Sequence, residues 1–463
     1  MMVYNSGAIT ELASHFNISE KEIRFNIYYY HLYKISKYNY FQIFIYTMRI
    51  ALLTDAFYPL KGGISHHLVS LCKSFQGKDH ELFVFNPYYI NDRIYDNLMV
   101  SIKQLKLNKQ FLKLMLISFY KIIKDKELKL NQKLRVFFHL IHNPRNLVIV
   151  INNLANILPI INKLKVDIII GGFPTNTLPL AYLLSSLLHK KFLVFVYGDD
   201  FLLKSNILDR TFRFKTPYFK RADKIIVLGK TTKYFFHRIH NVRKENIEIF
   251  PLAIFPKDYD IVESKEDLRK KYSINDKNFV ILSVGWHVPR KRFDLVIKAI
   301  KSIKEKRPEI KINYFSVGEG VSSDYLKELV SRLDMEDNVI FYGECANRIR
   351  NELYKLSDLF VMPSVTIENS IEGFGLVYLE ANYYKVPVIG AYAGGVRDAI
   401  SNNKTGLLVK PNDLDDLIEK ILFFIDNETK RIQFGEMGHK RVINEFLWSN
   451  RFQDFIKILE KVS

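Results

Sequence analysis

Short apolar runs alternate with amphipathic stretches along most of this chain. Residues 50–54 form the first run, a glycine-bearing loop and a helical pattern at 64–75 follow it, and the next run lies at 81–85. A strand, a glycine loop, a helix and a strand in this order are typical of the opening of a doubly wound sheet. Because helical stretches separate the runs, we expect the strands to be parallel and buried. Further strands are predicted at residues 166–170, 192–197 and 224–228.

The same alternation starts again in the second half of the chain. A charged, loop-like stretch at residues 256–271 precedes the apolar run at 279–285, which again ends in glycine. Two α/β units in tandem predict two Rossmann-like domains, with parallel sheets facing a central cleft where ligands bind at the carboxyl ends of the strands. The other strands of this second unit are predicted at residues 311–317, 338–342, 359–362 and 386–389.

Two stretches depart from this alternation. Residues 1–47 are rich in Tyr, Ile, Asn and Lys without a pattern that indicates a fold, and Met48 opens the first apolar run. We therefore expect either that Met48 is the natural start or that the residues before it are an appendage. Residues 102–147 are dense in Lys and Leu with aromatic residues at helical spacing, which predicts helices with one apolar and one basic side. This insertion either packs with a solvated basic face or docks on an anionic membrane surface.

Length and composition agree with two globular domains. The chain has 463 residues, too many for one ordinary core, with 48% hydrophobic and 25% charged residues. The predicted parts are an N-terminal extension at residues 1–47, an N-terminal domain at 48–252 that includes the insertion at 102–147, a C-terminal domain at 253–430, and C-terminal helices at 431–463 that pack back on the N-terminal domain.

Charge and cysteine content narrow the classes of partner and compartment. A formal charge of +19 favours an anionic partner, and charge alone leaves nucleic acid, an acidic membrane surface and phosphorylated substrates open. Two cysteines, Cys72 and Cys345, form no disulfide framework and indicate a reducing compartment. The sequence shows neither an apolar run long enough to span a membrane nor a signal-peptide pattern, so we expect a cytoplasmic protein.

The strongest chemical signal is the segment from Glu372 to Glu380, in which Gly373 and Gly375 lie just before a predicted helix. Free backbone N–H groups and the helix dipole make such a helix start a binding site for phosphate, and glycines let a diphosphate approach closely. Glu372 in the loop can accept hydrogen bonds from sugar hydroxyls. Glu380, about two turns later, can hold a second polyol such as a ribose. The same residues also fit an ordinary helix start with two surface acids.

Ordered motifs around this segment resemble one known family. The sequence is similar to the retaining GT-B glycosyltransferases of group 1 type, which include sucrose synthase and the bacterial phosphatidylinositol mannosyltransferases. The resemblance runs from about Met48 to the end and is densest from Ser283 to Pro411. Glu372 and Glu380 match the family's paired glutamates, which have seven residues between them. The other motifs in family order are Val317-Gly318-Glu319-Gly320, Asp358 to Ser364, Glu380-Ala381-Asn382, Val386 to Gly390, Ala393 to Val396 and Thr405 to Val409.

The resemblance implies a GT-B fold, with the acceptor bound by the N-terminal domain and the nucleotide sugar by the C-terminal domain. It implies that Glu372, at the donor sugar, and Lys291, at the leaving diphosphate, are catalytic. Taken alone, Lys291 also fits a solvated surface charge, and the Gly62-Gly63 pair a tight turn. The implied donor-binding residues fall into three groups. Gly62 and Gly63 lie at the phosphates, and Glu380 lies at the ribose. The others are Arg290, Gly373 and Gly375, together with Phe374, Leu376 and Val377, whose backbone faces the diphosphate.

Several positions depart from the family pattern. Trp286 stands where the family usually has a second diphosphate-binding arginine, so that His287 or Arg290 is left to supply that cation. Tyr197 stands where the family often has histidine, and a tyrosine is no easily protonated base at neutral pH. These departures weaken the implied acceptor chemistry more than the implied donor binding. The acceptor-side candidates are Tyr197, Asp200 and His66, which follows the first glycine loop together with His67.

The predicted function is that of a retaining hexosyltransferase, which moves a hexose from a nucleotide diphosphate sugar to a hydroxyl of a glycan or lipid-linked acceptor. We expect no metal and no other cofactor, because no histidine cluster has metal-ligand spacing and positive charges near the site would stabilise the leaving group. The resemblance implies that the leaving phosphate takes the acceptor's proton. The expected partners are the nucleotide sugar, the acceptor and an anionic membrane, on whose inner face the protein would be peripheral, and no nucleic acid.

Three other classes stay open at this point. A nucleotide-sugar-binding protein with little or no transferase activity fits the departures at Trp286 and Tyr197. A nucleic-acid-binding protein fits the net charge, but the basic residues are spread along the chain without a recognised module. An epimerase or a phosphorylase of GT-B fold is disfavoured by the spacing of the two glutamates and by Gly394-Gly395.

Overall fold

A computed structural model of the chain describes residues 47–55, 62–86, 109–141, 144–173, 177–200, 202, 213–368 and 370–462. The predicted N-terminal extension lies outside these residues apart from Thr47. The first part of the predicted insertion, at residues 102–108, and the pair at 142–143 also lie outside them.

The first sheet has six strands in the order β2-β1-β3-β4-β5-β6. Strand β1 (Arg49–Leu53) pairs in parallel with β2 on one side and β3 on the other. Its apolar residues from Ile50 to Leu53 are fully buried, as the continuous apolar run predicts for a parallel strand with both faces covered. The other strands are β2 (Glu81–Phe85), β3 (Ile168–Gly171), β4 (Lys191–Val196), β5 (Lys224–Val227) and β6 (Ile247–Ile249).

The second sheet also has six strands, in the order β12-β11-β10-β7-β8-β9. The chain runs outward from β7 (Phe279–Val284) through β8 and β9, and then returns to β10 on the other side of β7. The strand order therefore reverses between β7 and β10, which is the topological switch point where such sheets bind ligands. The other strands are β8 (Ile312–Val317), β9 (Val339–Gly343), β10 (Leu359–Met362), β11 (Val388–Ala391) and β12 (Gly406–Val409).

Helices occupy most of the segments between the strands of the first sheet. Helix α1 begins at Gly63, directly after Gly62, whose φ of +143° is one that L side chains rarely adopt. The helices are α1 (Gly63–Ser74), α2 (Lys109–Lys124), α3 (Leu130–Ile141), α4 (Pro144–Lys163), α5 (Thr177–Leu188), α6 (Thr216–Arg221) and α7 (Lys230–His240).

The remaining helices follow β6. Side-chain caps mark the start of two of them, because Ser264 accepts from the backbone of Asp267 and Asp413 from that of Asp416. They are α8 (Lys265–Lys271), α9 (Phe293–Lys306), α10 (Ser323–Arg332), α11 (Asn347–Leu356), α12 (Leu376–Tyr383), α13 (Val396–Ala399), α14 (Leu414–Asp426), α15 (Glu428–Glu445) and α16 (Trp448–Glu460), with short 3-10 turns at Lys244–Asn246, Pro256–Asp258 and Pro289–Lys291.

Contacts within the chain divide its described residues into two compact units. Unit 1 contains the described residues up to Phe195, together with Phe214–Ile225 and the end of the chain from Leu459. Unit 2 contains the described residues of Val196–Arg213 and all of Ile226–Ile458 except residue 369. The loop after β4 thus belongs to unit 2, together with the second sheet. The predicted domain boundaries after residues 252 and 430 stay predictions.

Helices α2 and α3 and the start of α4 lie in the predicted basic insertion. One side of the α2–α3 pair is buried in unit 1, including Ile122, Val136 and Leu140. In the connection between α2 and α3, the carboxylate of Asp125 accepts a 2.9 Å hydrogen bond from the hydroxyl of Tyr182 and lies 3.3 Å from Arg221. These contacts fix the insertion to the rest of unit 1. None of the helices in the described residues is long and apolar enough to cross a membrane.

Candidate active site

The two loops at the switch point of the second sheet bring three charged side chains together. Arg290 and Lys291 lie in the short 3-10 turn after β7, and Glu372 lies in the loop after β10. Arg290 donates to Glu372 Oε2 at 2.8 Å, and the Lys291 ammonium donates to the same oxygen. The three side chains are 17%, 11% and 13% exposed. The structure therefore places a largely buried cluster of two cations and one carboxylate, the Glu372 triad, where the fold binds ligands.

Charge balance within the Glu372 triad decides its protonation. Burial raises the pKa of the Glu372 carboxyl, but the positive charges of Lys291 and Arg290 outweigh burial and lower the pKa to about 2. Burial lowers the pKa of Lys291, and the Glu372 carboxylate opposes that change. Burial also disfavours the charged guanidinium of Arg290, but Glu372 outweighs it and raises the pKa. Glu372 is therefore ionised at any ordinary pH.

Glycines shape the loop that carries Glu372. A Cβ on Gly373 would lie 1.5 Å from the carbonyl oxygen of Tyr197, and one on Gly395 would lie 2.0 Å from the carbonyl oxygen of Gly373. The backbone N–H of Gly395 donates to the Glu372 carbonyl at 2.7 Å, and Gly394 also packs against that carbonyl. The glutamate loop is thus held between the loop after β4 and the Gly394-Gly395 turn, with no room for a side chain at either contact.

The loop after β4 carries two adjacent acids with different tasks. Asp199 accepts from the backbone N–H of Ile371 at 2.5 Å and from the hydroxyl of Ser370 at 2.9 Å. Asp200 is buried, and its carboxylate accepts from the backbone N–H groups of Tyr197 and Gly198 in its own loop. Asp199 therefore anchors the residues just before Glu372, while Asp200 shapes the turn. The predicted acceptor-side roles of Tyr197, which is buried, and of Asp200 stay predictions.

The second glutamate of the predicted pair lies in α12, away from the Glu372 triad's hydrogen bonds. Glu380 is 3% exposed, and its carboxylate accepts from the hydroxyls of Tyr259 and Tyr354, each at 2.8 Å. Arg350 lies 3.6 Å from the same carboxylate. Glu380 is thus tied to the protein on several sides. Its predicted contact with a ribose stays a prediction.

The start of α12 presents backbone rather than side chains. Gly375 precedes the helix with a φ of +95°, and the first turn carries no acidic residue. Phe374 is 2% exposed and packs against Phe446, Leu376 is buried, and Val377 is half-buried. The predicted use of residues 374–377 as a backbone cradle for the diphosphate stays a prediction.

The glycine loop before α1 belongs to unit 1. Gly62 and Gly63 are exposed, and an added Cβ on either would meet no atom within 4 Å, so the backbone there is open to a ligand. His66 is half-buried. His67 is 1% exposed with its ring 5.7 Å from that of Phe195, and burial lowers its pKa to about 3. Of the two histidines, His66 is therefore the one with an accessible side chain. The predicted roles of Gly62, Gly63 and His66 stay predictions.

The surroundings of the two residues after Gly285 bear on which side chain, His287 or Arg290, supplies the cation that is missing at Trp286. His287 is 1% exposed, and its ring nitrogens lie 3.0 Å from the hydroxyls of Ser323 and Ser316. Burial lowers the pKa of His287 to about 4, so it is neutral at physiological pH. Trp286 is 58% exposed. Of the two candidates for the missing cation, Arg290 is the one that is charged and lies beside Lys291.

Sequence reasoning missed two groups that position the glutamate loop. Asp199 binds Ile371, and Thr232 in α7 donates to the Gly373 carbonyl at 2.9 Å. The adjacent acids at 199 and 200 gave a signal, but a sequence does not show which of two neighbours faces a distant loop. Thr232 gave none, because a threonine near a helix start is ordinary.

The two sheets have the GT-B fold, which solved structures of glycosyltransferases share. The Anabaena protein HepE, whose structure holds UDP and glucose, matches with a TM-score of 0.68 and 17% identity over 89% of this chain and 100% of that one. This likeness and the two parallel six-stranded sheets confirm the predicted α/β fold with two Rossmann-like sheets.

Residues 264–441 match the family described as Glycosyl transferases group 1, and this segment belongs to that family. It contains Lys291 and both predicted glutamates, so the resemblance read from the motifs is confirmed. A GDP-mannose-dependent monoacylated α-(1-6)-phosphatidylinositol monomannoside mannosyltransferase of Corynebacterium glutamicum is 32% identical over 200 residues, 43% of this chain and 51% of that protein. An uncharacterized glycosyltransferase of Methanocaldococcus jannaschii is 26% identical over 89% of this chain and 98% of that protein. The match thus spans about half of the first relative and nearly all of the second.

Proposed function

We propose that this chain is a retaining hexosyltransferase, which moves a hexose from a nucleotide diphosphate sugar to a hydroxyl of a glycan or lipid-linked acceptor. The observation that carries the proposal is the Glu372 triad, in which two cations and a carboxylate meet at the switch point of a Rossmann-like sheet. The group 1 family match of the segment that holds all three residues supports it.

The proposed reaction exchanges one bond at the anomeric carbon for another on the same face. The bond from that carbon to the diphosphate oxygen breaks, the bond to the acceptor oxygen forms, and the acceptor's proton passes to the leaving phosphate. Arg290 and Lys291 would turn from Glu372 to the departing diphosphate and stabilise its charge in a site with little water. Glu372, released from its partners, would accept hydrogen bonds from the sugar hydroxyls. No protein base is needed, so a tyrosine at position 197 is compatible with activity.

We propose further that no metal ion takes part, because the two cations supply the charge that a metal would otherwise provide. We also propose that the acceptor is a glycan or a lipid-linked hydroxyl, and that the protein is cytoplasmic and peripheral on the inner face of a membrane. The mannosyltransferase relative, whose name specifies a phosphatidylinositol monomannoside, and the formal charge of +19 support this assignment.

Two alanine variants test the assignment of the site. In Glu372→Ala and Lys291→Ala, transfer from the donor that the wild type uses should fall by at least about a hundredfold, since each loses a group that acts on the charge of the transition state. The donor is first identified by thermal shift with a panel that includes GDP-mannose and UDP-glucose. Turnover is then measured as nucleotide release with glycan and lipid-linked acceptors.

Matched controls come from the exposed end of α9. Glu305→Ala removes a carboxylate whose side chain is 62% exposed, and Lys306→Ala removes an exposed ammonium group. Both control variants should keep wild-type turnover. Circular dichroism checks that all four variants fold. Wild-type turnover in either site variant would refute the site assignment. A wild-type protein that binds a donor but transfers it to no acceptor would favour the nucleotide-sugar-binding alternative.

A further inference from the structure

Helices α2 and α3 of unit 1 present a row of large apolar side chains to solvent. On α2 they stand at spacings of four and three residues, at Leu116, Tyr120 and Ile123, which are 59%, 58% and 63% exposed. Those spacings place them on one side of the helix. On α3, the residues Leu130, Leu134 and Phe138 repeat every four positions and are 75%, 49% and 47% exposed. Apolar surface gathered in this way marks an interaction site rather than scattered exposure.

The exposed row is not the result of loose helices. The opposite side of the pair is packed, with Ile122 and Val136 at most 1% exposed. The two helices contact each other through the rings of Phe119 and Phe137, whose centroids are 4.8 Å apart. Lys133 of α3 also donates to the carbonyl of Ile123 in α2 at 2.6 Å. Both helices therefore have a buried side that holds them in unit 1 and an exposed apolar side. We call the exposed apolar side of the two helices the α2–α3 face.

Positive charge accompanies the α2–α3 face. Residues 109–141 contain seven lysines and one arginine against two acids, Asp125 and Glu127. Asp125 is buried and faces Arg221, so the acid that balances the exposed lysines in this stretch is Glu127. Among the lysines of this stretch whose side chains the structure describes, Lys113, Lys124, Lys126 and Lys129 are exposed.

This combination identifies the partner by its chemistry. A helix with an apolar side and lysines beside it lies in the interface of a bilayer, where the apolar side chains enter the acyl boundary and the cations meet anionic headgroups. Lysine stems can lie along the apolar surface while their ammonium groups reach outward, which suits the border of such a face. A protein partner would have to offer an apolar surface edged with acids in matching positions, whereas an anionic bilayer presents both chemistries over its whole surface.

We propose that the α2–α3 face is the surface by which this protein docks on an anionic membrane. Leu116, Tyr120 and Ile123, with their counterparts on α3, enter the bilayer interface, and the exposed lysines contact acidic phospholipid headgroups. The proposal rests on the proposed function in one respect: a glycosyltransferase with a lipid-linked acceptor benefits from docking at the membrane. Docking itself requires no turnover and no donor.

Co-sedimentation of the full chain with vesicles tests the proposal. The protein should bind phosphatidylcholine vesicles that contain phosphatidylglycerol, bind pure phosphatidylcholine at least about tenfold more weakly, and come off as salt rises, because headgroup attraction is screened. No binding to the anionic vesicles at low salt would overturn the proposal. Equal binding to both vesicle types, unaffected by salt, would overturn the role given to the lysines.

Two matched triple variants show whether the α2–α3 face is responsible. The variant with Leu116→Ser, Ile123→Ser and Leu134→Ser should bind anionic vesicles at least about tenfold more weakly, since the inserted apolar area is lost. The control variant loses exposed apolar residues of unit 2 and should bind like the wild type. Its substitutions are Val262→Ser, Ile432→Ser and Met437→Ser, at positions 91%, 57% and 40% exposed.

The remaining outcomes separate docking from folding, from self-association and from catalysis. Circular dichroism and the melting temperature verify that both triple variants fold. Wild-type vesicle binding by the α2–α3 variant would refute the proposal. The proposal would also be refuted if the wild type forms an oligomer in solution, the α2–α3 substitutions alone dissociate it, and they leave vesicle binding unchanged. Turnover with a water-soluble acceptor should be equal in the wild type and this variant. A chain that docks but transfers no sugar would refute the proposed function and leave the docking proposal standing.

Discussion

At the scale of the residue, the centre of the site is a carboxylate held by the two cations that the proposed reaction needs elsewhere. Arg290 and Lys291 both donate to one oxygen of Glu372, and all three side chains are at most 17% exposed. A diphosphate that binds these cations competes with the Glu372 carboxylate for their charge. The affinity for the donor is therefore reduced by the stability of the ion cluster in the free protein.

Replacing Glu372 by its neutral isostere should separate binding from turnover. In Glu372→Gln the two cations lose the charge that neutralises them, so a free nucleoside diphosphate should bind several-fold more tightly than to the wild type, while sugar transfer is lost. Isothermal titration with GDP and UDP measures the first effect. Lys291→Ala serves as the opposite control and should weaken binding. Unchanged or weaker binding of both nucleotides to Glu372→Gln would contradict the competition between Glu372 and the diphosphate.

Sequence motifs could identify the members of the Glu372 triad but not the partners of their neighbours. The spacing from Glu372 to Glu380 and the lysine after Gly285 placed Glu372 and Lys291 in one site, which the structure brings together. The surroundings of Glu380 were not predictable. Its partner Tyr259 stands 121 positions away in the chain, and nothing in the sequence around Tyr259 indicates this contact. Such contacts depend on how distant segments pack, and a single sequence does not contain that information.

At the scale of the element, three loops around Glu372 fix one another. The glutamate loop after β10 contacts the loop after β4 at Gly373 and the Gly394-Gly395 turn after β11. Asp199 adds a hydrogen-bonded anchor from the loop after β4 to Ile371. A carboxylate that is anchored just before Glu372 sets where that side chain stands. We therefore regard Asp199 as a positioning residue rather than a catalytic one.

Variants of Asp199 should show this positioning role. Asp199→Ala removes the acceptor for the backbone of Ile371 and the hydroxyl of Ser370, so kcat should fall about tenfold or more with a smaller change in KM for the donor. Asp199→Asn keeps an acceptor oxygen and should recover most of the loss. Steady-state kinetics at several donor concentrations gives both constants. Equal losses in the alanine and asparagine variants would argue for a role of the charge itself instead of the anchor.

The order of elements followed the apolar pattern closely, and the exceptions have a physical cause. The predicted strands at 81–85 and 359–362 coincide with β2 and β10, since buried parallel strands are continuous apolar runs bounded by polar residues. The strands β6 (Ile247–Ile249) and β12 (Gly406–Val409) were not predicted, because Glu248 interrupts β6 and a glycine opens β12, so that neither contains four consecutive apolar residues. The helical prediction for the basic insertion holds for α2 and α3, whose apolar and lysine positions follow helical spacing.

At the scale of the whole molecule, each compact unit contains a histidine that folding keeps neutral. His67 lies in unit 1, and His287 lies in unit 2. Burial is the main cause that lowers the pKa of His67 to about 3 and that of His287 to about 4, from an ordinary value of 6.5. Both side chains are 1% exposed, so protonation of either one places a charge in the interior. Acid should therefore weaken both units.

The sign of the acid effect follows from proton binding. Below pH 6.5 the unfolded chain protonates both histidines, while the folded chain holds His287 neutral down to about pH 4 and His67 to about pH 3. The unfolded state then binds more protons, so the free energy of unfolding falls as the pH drops from 6.5 through these values.

The chain's two tryptophans, Trp286 and Trp448, both lie in unit 2, and Trp448 is 1% exposed, so tryptophan fluorescence reports the unfolding of unit 2. Urea midpoints from fluorescence should fall between pH 7 and pH 5, and His287→Gln should make that fall shallower.

His67→Gln is the matched control for the fluorescence signal, because it removes the same titration from the other unit. It should leave the pH dependence of the fluorescence midpoint close to that of the wild type, while far-UV circular dichroism, which reports both units, becomes less sensitive to acid. If the two units unfold separately, the two probes will show different midpoints, as expected for a protein with more than one cooperative unit. If His287→Gln retains the full wild-type dependence on pH, the buried imidazole of unit 2 is not the source of its acid sensitivity.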